Sequence, residues 1–335
     1  MTFHSSHQLR LIVLAFMIRL APILVLFIPF GCSTPAPKDV PIAIVPDTLP
    51  RTSEQRVSEQ YIYVQSDVSM DHYFEALDTL CDTLSNQYGT TLDEYALVHA
   101  NPRLIDSLMA QDYYRAKSRG VRIENQRDCI ILKAGDSLRI PSASEIMHIQ
   151  ELLSAVRIDV NIPEYTLRIW VRDSLVHQCL VRVGKNERKY LELAKHEVNL
   201  RTPIGEGHII RIERDPLYMN PVDGHRYEGT WRDDGHYTGL PRIPFLEPEI
   251  NSIRSGALIH PTTNRRTLGK AISNGCVGLS EADAWMVYYY APLGTRVRFR
   301  YDLVGFDTTG KKVEFKDIYN LKSMKGGTSN DHLSN

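Results

Sequence analysis

Two kinds of hydrophobic patterning divide the chain. From Phe74 onward, Leu77, Leu80, Cys81, Leu84 and Tyr88 recur at three- and four-residue spacing, which predicts an amphipathic helix ended by Gly89. Thr91-x-x-Glu94 then reads as a capping box for a second helix carrying Leu92, Tyr95 and Val98, stopping before Asn101-Pro102. A third helical stretch holds Leu104, Ile105, Leu108 and Met109. Cys129 to Leu132 reads as a strand, Ala134-Gly135-Asp136 as a turn, and Ser137 to Pro141 as a further segment. Later the period changes to two. Ile158, Val160 and Ile162 alternate with polar residues, and Pro163-Glu164 turns the chain. Leu167, Ile169 and Val171 alternate next, and Asp173-Ser174 leads into an apolar segment, 175–183, ending at Gly184. Such spacing predicts an antiparallel meander within a sandwich or barrel. Further strands are expected at His208–Ile212, Ala257–His260 and Thr295–Arg300, and Ser280 caps a helix starting at Glu281. Arg214 to Pro248 reads as a long polar, aromatic-rich loop of the kind that forms lids.

Composition narrows the classes. A chain of 335 residues is long enough for about two domains. With 43% hydrophobic and 24% charged residues it is ordinarily globular. Lys plus Arg is 39 against 40 for Asp plus Glu, so there is no broad basic field for nucleic acid. Five cysteines without a C-x-x-C pair make neither a disulfide scaffold nor a zinc site. Cys81 and Cys129 lie in the helical region, either as a pair or as two buried thiols.

The first residues read as an address. Leu20 to Phe30 is apolar, preceded by Arg10 and Arg19 and followed by Gly31-Cys32. This is the order of a secretory signal, and the Gly-Cys step resembles a bacterial lipoprotein processing site that leaves Cys32 as the lipidated first residue. Pro29 and Phe30 depart from the small and branched residues usual there, and a start at Met17 would make the signal more compact. Pro35, Pro37, Pro41, Pro46 and Pro50 then favour an extended tether. The expected organisation is a signal at 1–31, a tether at 32–60, a small mainly helical α+β domain at 61–145, a β-rich domain at 156–301, and an extension at 302–335 with a disordered end. The protein is thus expected to be exported to the cell envelope or periplasm and anchored by lipid to a membrane.

One segment carries chemistry. Gly256-Ala257-Leu258-Ile259-His260-Pro261 is followed by Ser273-Asn274-Gly275-Cys276-Val277-Gly278-Leu279. A thiol is mostly protonated at neutral pH, and a histidine within reach can accept its proton and later return it to a leaving amine. Gly275 leaves room for a substrate carbonyl beside the backbone N–H groups near Cys276. Cysteine, histidine and small loop residues together suit acyl transfer. A free cysteine is nevertheless more often an inert core residue, and Cys179 in its apolar strand is read that way.

This segment resembles the signature of the L,D-transpeptidase catalytic domain, in which a histidine precedes a Ser/Thr-His-Gly-Cys element. The likeness extends over roughly 156–301. It includes Ile158-Asp159-Val160, Leu167-Arg168-Ile169-Trp170, Val183-Gly184, Thr202-Pro203-Ile204-Gly205 and Asp215 to Pro221. The fold implied is mainly β, a β-sandwich or barrel with one or two short helices. The resemblance implies Cys276 as nucleophile and His260 as general base and acid. The Pro261 carbonyl would orient the imidazole, Gly275 and Cys276 would offer oxyanion amides, and Ser273 would shape the loop. The reaction implied is attack on the third-residue carbonyl of a peptidoglycan stem, release of D-alanine and transfer to an amine. Water as acceptor would give an L,D-carboxypeptidase, and no metal or organic cofactor is implied. Two departures stand out: Asn274 replaces the histidine two residues before the nucleophile, and Gly278 replaces the frequent arginine two residues after it. Arg254, Arg265 and Arg266 are candidate replacements for that cation, and Tyr218, Trp231 and Tyr237 are candidate cleft residues. These departures leave open a lapsed enzyme that only holds peptidoglycan. In the helical region, Tyr88 to Leu92 with Asn101-Pro102, and Lys133 to Pro141, resemble a lysin motif, which binds cell-wall glycan. The expected partners are therefore stem peptides and a membrane.

Overall fold

A computed structural model describes residues 60–322 apart from Thr90 and Thr308. The signal, Cys32, nearly all of the tether and the end of the extension lie outside the described residues.

The helical region begins with a strand that periodicity does not indicate, β1 (Gln60–Tyr63), paired antiparallel with β2 (Ser137–Ile140). Between them run α1 (Tyr73–Tyr88), α2 (Glu94–Ala100), α3 (Arg103–Ala110) and α4 (Tyr113–Ser118). Gly89 ends α1 in the left-handed conformation, as expected. The cap of α2 is Asp93, whose carboxylate accepts the Ala96 N–H at 2.7 Å, and not Thr91. The capping box fails because Glu94 is drawn inward, buried between the Tyr288 hydroxyl and Arg214. A further helix, α5 (Ala143–Ser154), starts at a Ser142–Glu145 capping box and leads into the β-rich part.

That part is one eight-stranded sheet. Its strands are β3 (Val156–Asn161), β4 (Thr166–Val171), β5 (Ser174–Leu180), β7 (Gly205–Glu213), β8 (Phe245–Ile250), β9 (Ile259–Pro261), β11 (Val277–Leu279) and β12 (Arg296–Arg300). The short β6 (Val183–Gly184) and β10 (Ala271–Ser273) pair with each other beside it. The order across the sheet is β11-β9-β8-β7-β12-β3-β4-β5. The expected meander is β3-β4-β5, but two pairs are parallel, β12 with β3 and β9 with β11. Just past β5, Arg182 pairs with Gly278 of β11 through both backbone hydrogen bonds, 2.9 and 3.0 Å. This contact draws the two outer edges together into a nearly closed barrel.

The supposed lid is partly strand. β8 runs through the middle of the sheet despite Pro248, because Pro248 stands opposite Ile209 at a register shift in β7, where the ladder tolerates a missing N–H. Residues 229–231 and 237–239 form a hairpin in the same stretch.

The last helix, α6 (Glu281–Tyr290), is capped by Ser280 as expected and is apolar nearly all round. Trp285, Tyr288 and Tyr289 are fully buried against Tyr73 and Phe74 of α1. Each such ring contributes about 1.5–3 kcal/mol by leaving water. The helical region therefore packs on the helix that immediately follows the candidate catalytic loop. Cys81, Cys129, Cys179 and Cys276 are all free thiols.

Candidate active site

Position 260 of β9 stands opposite Gly278 of β11, and Leu258 adjoins Cys276 on the same pair of strands. Because side chains alternate along a strand, residues 258 and 260 share a face, as do 276 and 278. The parallel register thus brings Cys276 and His260 onto one face of the sheet at its edge. The turn before Cys276 is made by Gly275, whose φ of +109° suits glycine and little else. Ser273 braces it, donating from Oγ to the Cys276 carbonyl at 2.6 Å and accepting the Gly275 N–H at 3.3 Å. The Cys276 N–H has no acceptor among the described residues, which leaves it for an oxyanion.

His260 is oriented by its own neighbour. Nδ1 lies 2.8 Å from the Pro261 carbonyl, and a carbonyl can only accept, so Nδ1 carries the hydrogen and Nε2 is the basic nitrogen. Phe245 packs on the ring at 4.8 Å, and Tyr218 backs Phe245 at 5.1 Å with its hydroxyl donating to the Pro241 carbonyl. Burial, then the charge of Arg182, hold the imidazole down to a pKa of about 3, against a partial upward pull from Pro261. Burial likewise pushes the Cys276 thiol above its usual range, opposed by the Leu258 N–H at 3.4 Å and by Arg182. No hydrogen bond joins Sγ to His260 among the described residues. Thiol and imidazole are both neutral at rest.

Asn274 and Gly275, the residues leading into Cys276, line a cleft of about 630 Å³ shared with Thr202, Ile204, Arg254 and Ala257. That is the size range of small-ligand sites. Residues 155–299 match the L,D-transpeptidase catalytic domain (YkuD). No curated protein matches the chain significantly. Among solved structures, L,D-transpeptidase 1 of Mycobacterium tuberculosis is 17% identical (TM-score 0.29), over 44% of this chain and 61% of that one. An L,D-transpeptidase from Mycobacterium smegmatis is 15% identical (TM-score 0.30), over 44% and 58%. One from Xylanimonas cellulosilytica is 13% identical (TM-score 0.32), over 71% and 97%. The chain thus spans about three fifths of the two mycobacterial structures.

The other candidates separate. In the L,D-transpeptidase-type domain, Arg254 reaches the cleft but is tied to buried Glu247. Arg265 packs over Tyr114 at 6.0 Å, and Arg266 donates its backbone N–H to Asp233, so neither joins the cleft lining. Trp231 and Tyr237 pack edge to face on the exposed hairpin, away from that lining. His177 and Asp283 hydrogen-bond at 2.9 Å beside buried Cys179, with ligand atoms within 4.8 Å, which ties β5 to α6.

Two supports have no role assigned from the sequence, Thr202 of the quoted Thr202-Pro203-Ile204-Gly205 segment and Tyr319. Thr202 donates to the Gly275 carbonyl at 3.0 Å and accepts the Gly184 N–H at 2.9 Å. Tyr319, from the extension beyond the domain and fully buried, accepts the Thr202 N–H and donates to the Gly184 carbonyl. Tyr319→Phe is expected to cost about 1–3 kcal/mol, because it strands two buried backbone groups. Urea unfolding of the variant measures that loss, and a slower Cys276 reaction is expected with it.

Proposed function

We propose that the protein is an exported peptidoglycan L,D-transpeptidase, lipid-anchored through Cys32. The observation that carries this reading is the shared face of Cys276 and His260 beside the cleft, with His260 Nε2 free to take a proton. As substrate binds, the thiol proton passes to His260 Nε2 and sulfur attacks the third-residue carbonyl of a tetrapeptide stem. The oxyanion is held by the Cys276 N–H, with Gly275 beside it. Collapse expels D-alanine, whose amine takes the proton from His260, and leaves a thioester on Cys276. An acceptor amine on a second stem attacks that thioester and gives its proton to His260. An amide then joins two third residues, and the proton returns to the thiol.

The test is incubation of the protein with defined tetrapeptide muropeptides, with products identified by mass spectrometry. Cross-linked dimers lost in Cys276→Ala support the reading. Release of D-alanine without dimers makes water the acceptor and the enzyme an L,D-carboxypeptidase. Neither product, together with no carbapenem adduct on Cys276, overturns catalysis and leaves a wall-binding protein.

A further inference from the structure

Arg182, His260 and Gly278 form a row across the seam of the barrel. Arg182 pairs with Gly278 on one side, and His260 stands opposite Gly278 on the other. Gly278 has no side chain, and the Arg182 side chain lies across the space one would occupy. A Cβ there would come within 2.6 Å of the Arg182 Cγ and closer still to its Nε. The arginine is therefore laid over β11 toward the face that holds Cys276 and His260. Its Nε is buried and has no hydrogen-bond partner, and among the described residues no carboxylate forms an ion pair with it. A guanidinium stays charged under ordinary conditions, so a bare cation faces the reacting pair.

We propose that Arg182 is the counter-charge of the nucleophile, stabilising the Cys276 thiolate and the oxyanion that follows, in the space left by Gly278. Its charge acts on both partners, lowering the thiol and opposing protonation of His260. Its field favours thiolate beside neutral imidazole, the state that alkylation reads, and in the transfer to His260 it aids the thiolate while opposing the imidazolium. Arg182 is the charged side chain that acts on both Cys276 and His260, and His196, Glu197, Arg201 and Arg254 line the cleft that Asn274 and Gly275 share. The inference rests on Cys276 being the nucleophile, but its test needs no substrate.

The rate of iodoacetamide alkylation of Cys276 is followed against pH in the full chain by peptide mass spectrometry. Cys81 and Cys129, whose thiols burial pushes up to about 12 and about 11, serve as internal controls. Arg182→Met and Arg182→Gln are expected to move the midpoint up by about one pH unit, roughly tenfold less thiolate at any pH below it. Arg182→Lys should hold it near the parent value. Gly278→Arg alone should disturb the seam, whereas Arg182→Ala combined with Gly278→Arg should restore the parent midpoint from the opposite strand. Unchanged midpoints in both neutral variants overturn the proposal. A shifted midpoint in a protein that turns over no stem peptide retains Arg182 and rejects the transpeptidase reading, whereas turnover with no shift does the reverse.

Discussion

Conversion of His260 to glutamine is expected to slow acylation of Cys276 by about two to four orders of magnitude, the range for loss of a positioned general base. Melting temperature should change little, because the half-buried imidazole is neutral and makes a single hydrogen bond, to its neighbour's carbonyl. Single-turnover acylation followed by mass spectrometry measures the effect. With His260 held down to about 3, its basic form persists through the mildly acid range. The parent protein should therefore show no acid limb near pH 6.5, where an unperturbed histidine would place one. A limb at that pH, or a His260→Gln variant as fast as the parent, would remove His260 from the chemistry.

Arg232→Met should be the most destabilising single change, by about 3–5 kcal/mol. Arg232 and Glu281 form an ion pair with side chains 1% and 2% exposed. Arg232 also donates to Thr238 Oγ1 and lies over the Tyr113 ring at 4.6 Å, while Glu281 accepts the Tyr113 N–H at 2.9 Å. The pair fastens the start of α6 to α4. Removing the cation leaves a carboxylate whose burial already pushes its pKa up, with only the Tyr113 N–H left to offset it. The sign of the pH dependence follows. A carboxyl raised in the folded state holds its proton longer than in the unfolded chain, so the variant loses stability as pH climbs past about 4.3. The deficit should be smallest in acid and on the order of 10 °C in melting temperature near neutrality. Calorimetry of parent and variant across that range checks it.

The sheet was legible where apolar and polar residues alternate cleanly, as in β3 and β4. It was hidden at β8, where Pro248 argues against a central strand and only the register shift opposite it reconciles the two. Thr91 carried the right letters for a cap but lost to Asp93 because Tyr288 and Arg214, far along the chain, claim Glu94. Cys276 and His260 were legible because a short segment carries both. Arg182 was not, since its only mark is that Gly278 lacks a side chain, and pairing across the seam is a long-range fact. Tyr319 escaped for the same reason, supporting the loop from outside the patterned region.

The barrel seam also governs when the thiol becomes special. The contact between Arg182 and Gly278 joins segments distant in the chain, and pairing of that kind forms late and slowly because long loops must close first. Until it does, the sulfur has neither the guanidinium nor the imidazole beside it and behaves as an ordinary cysteine. A refolding chain thus lacks the paired site, and assembly of thiol, imidazole and guanidinium should coincide with closure of the seam.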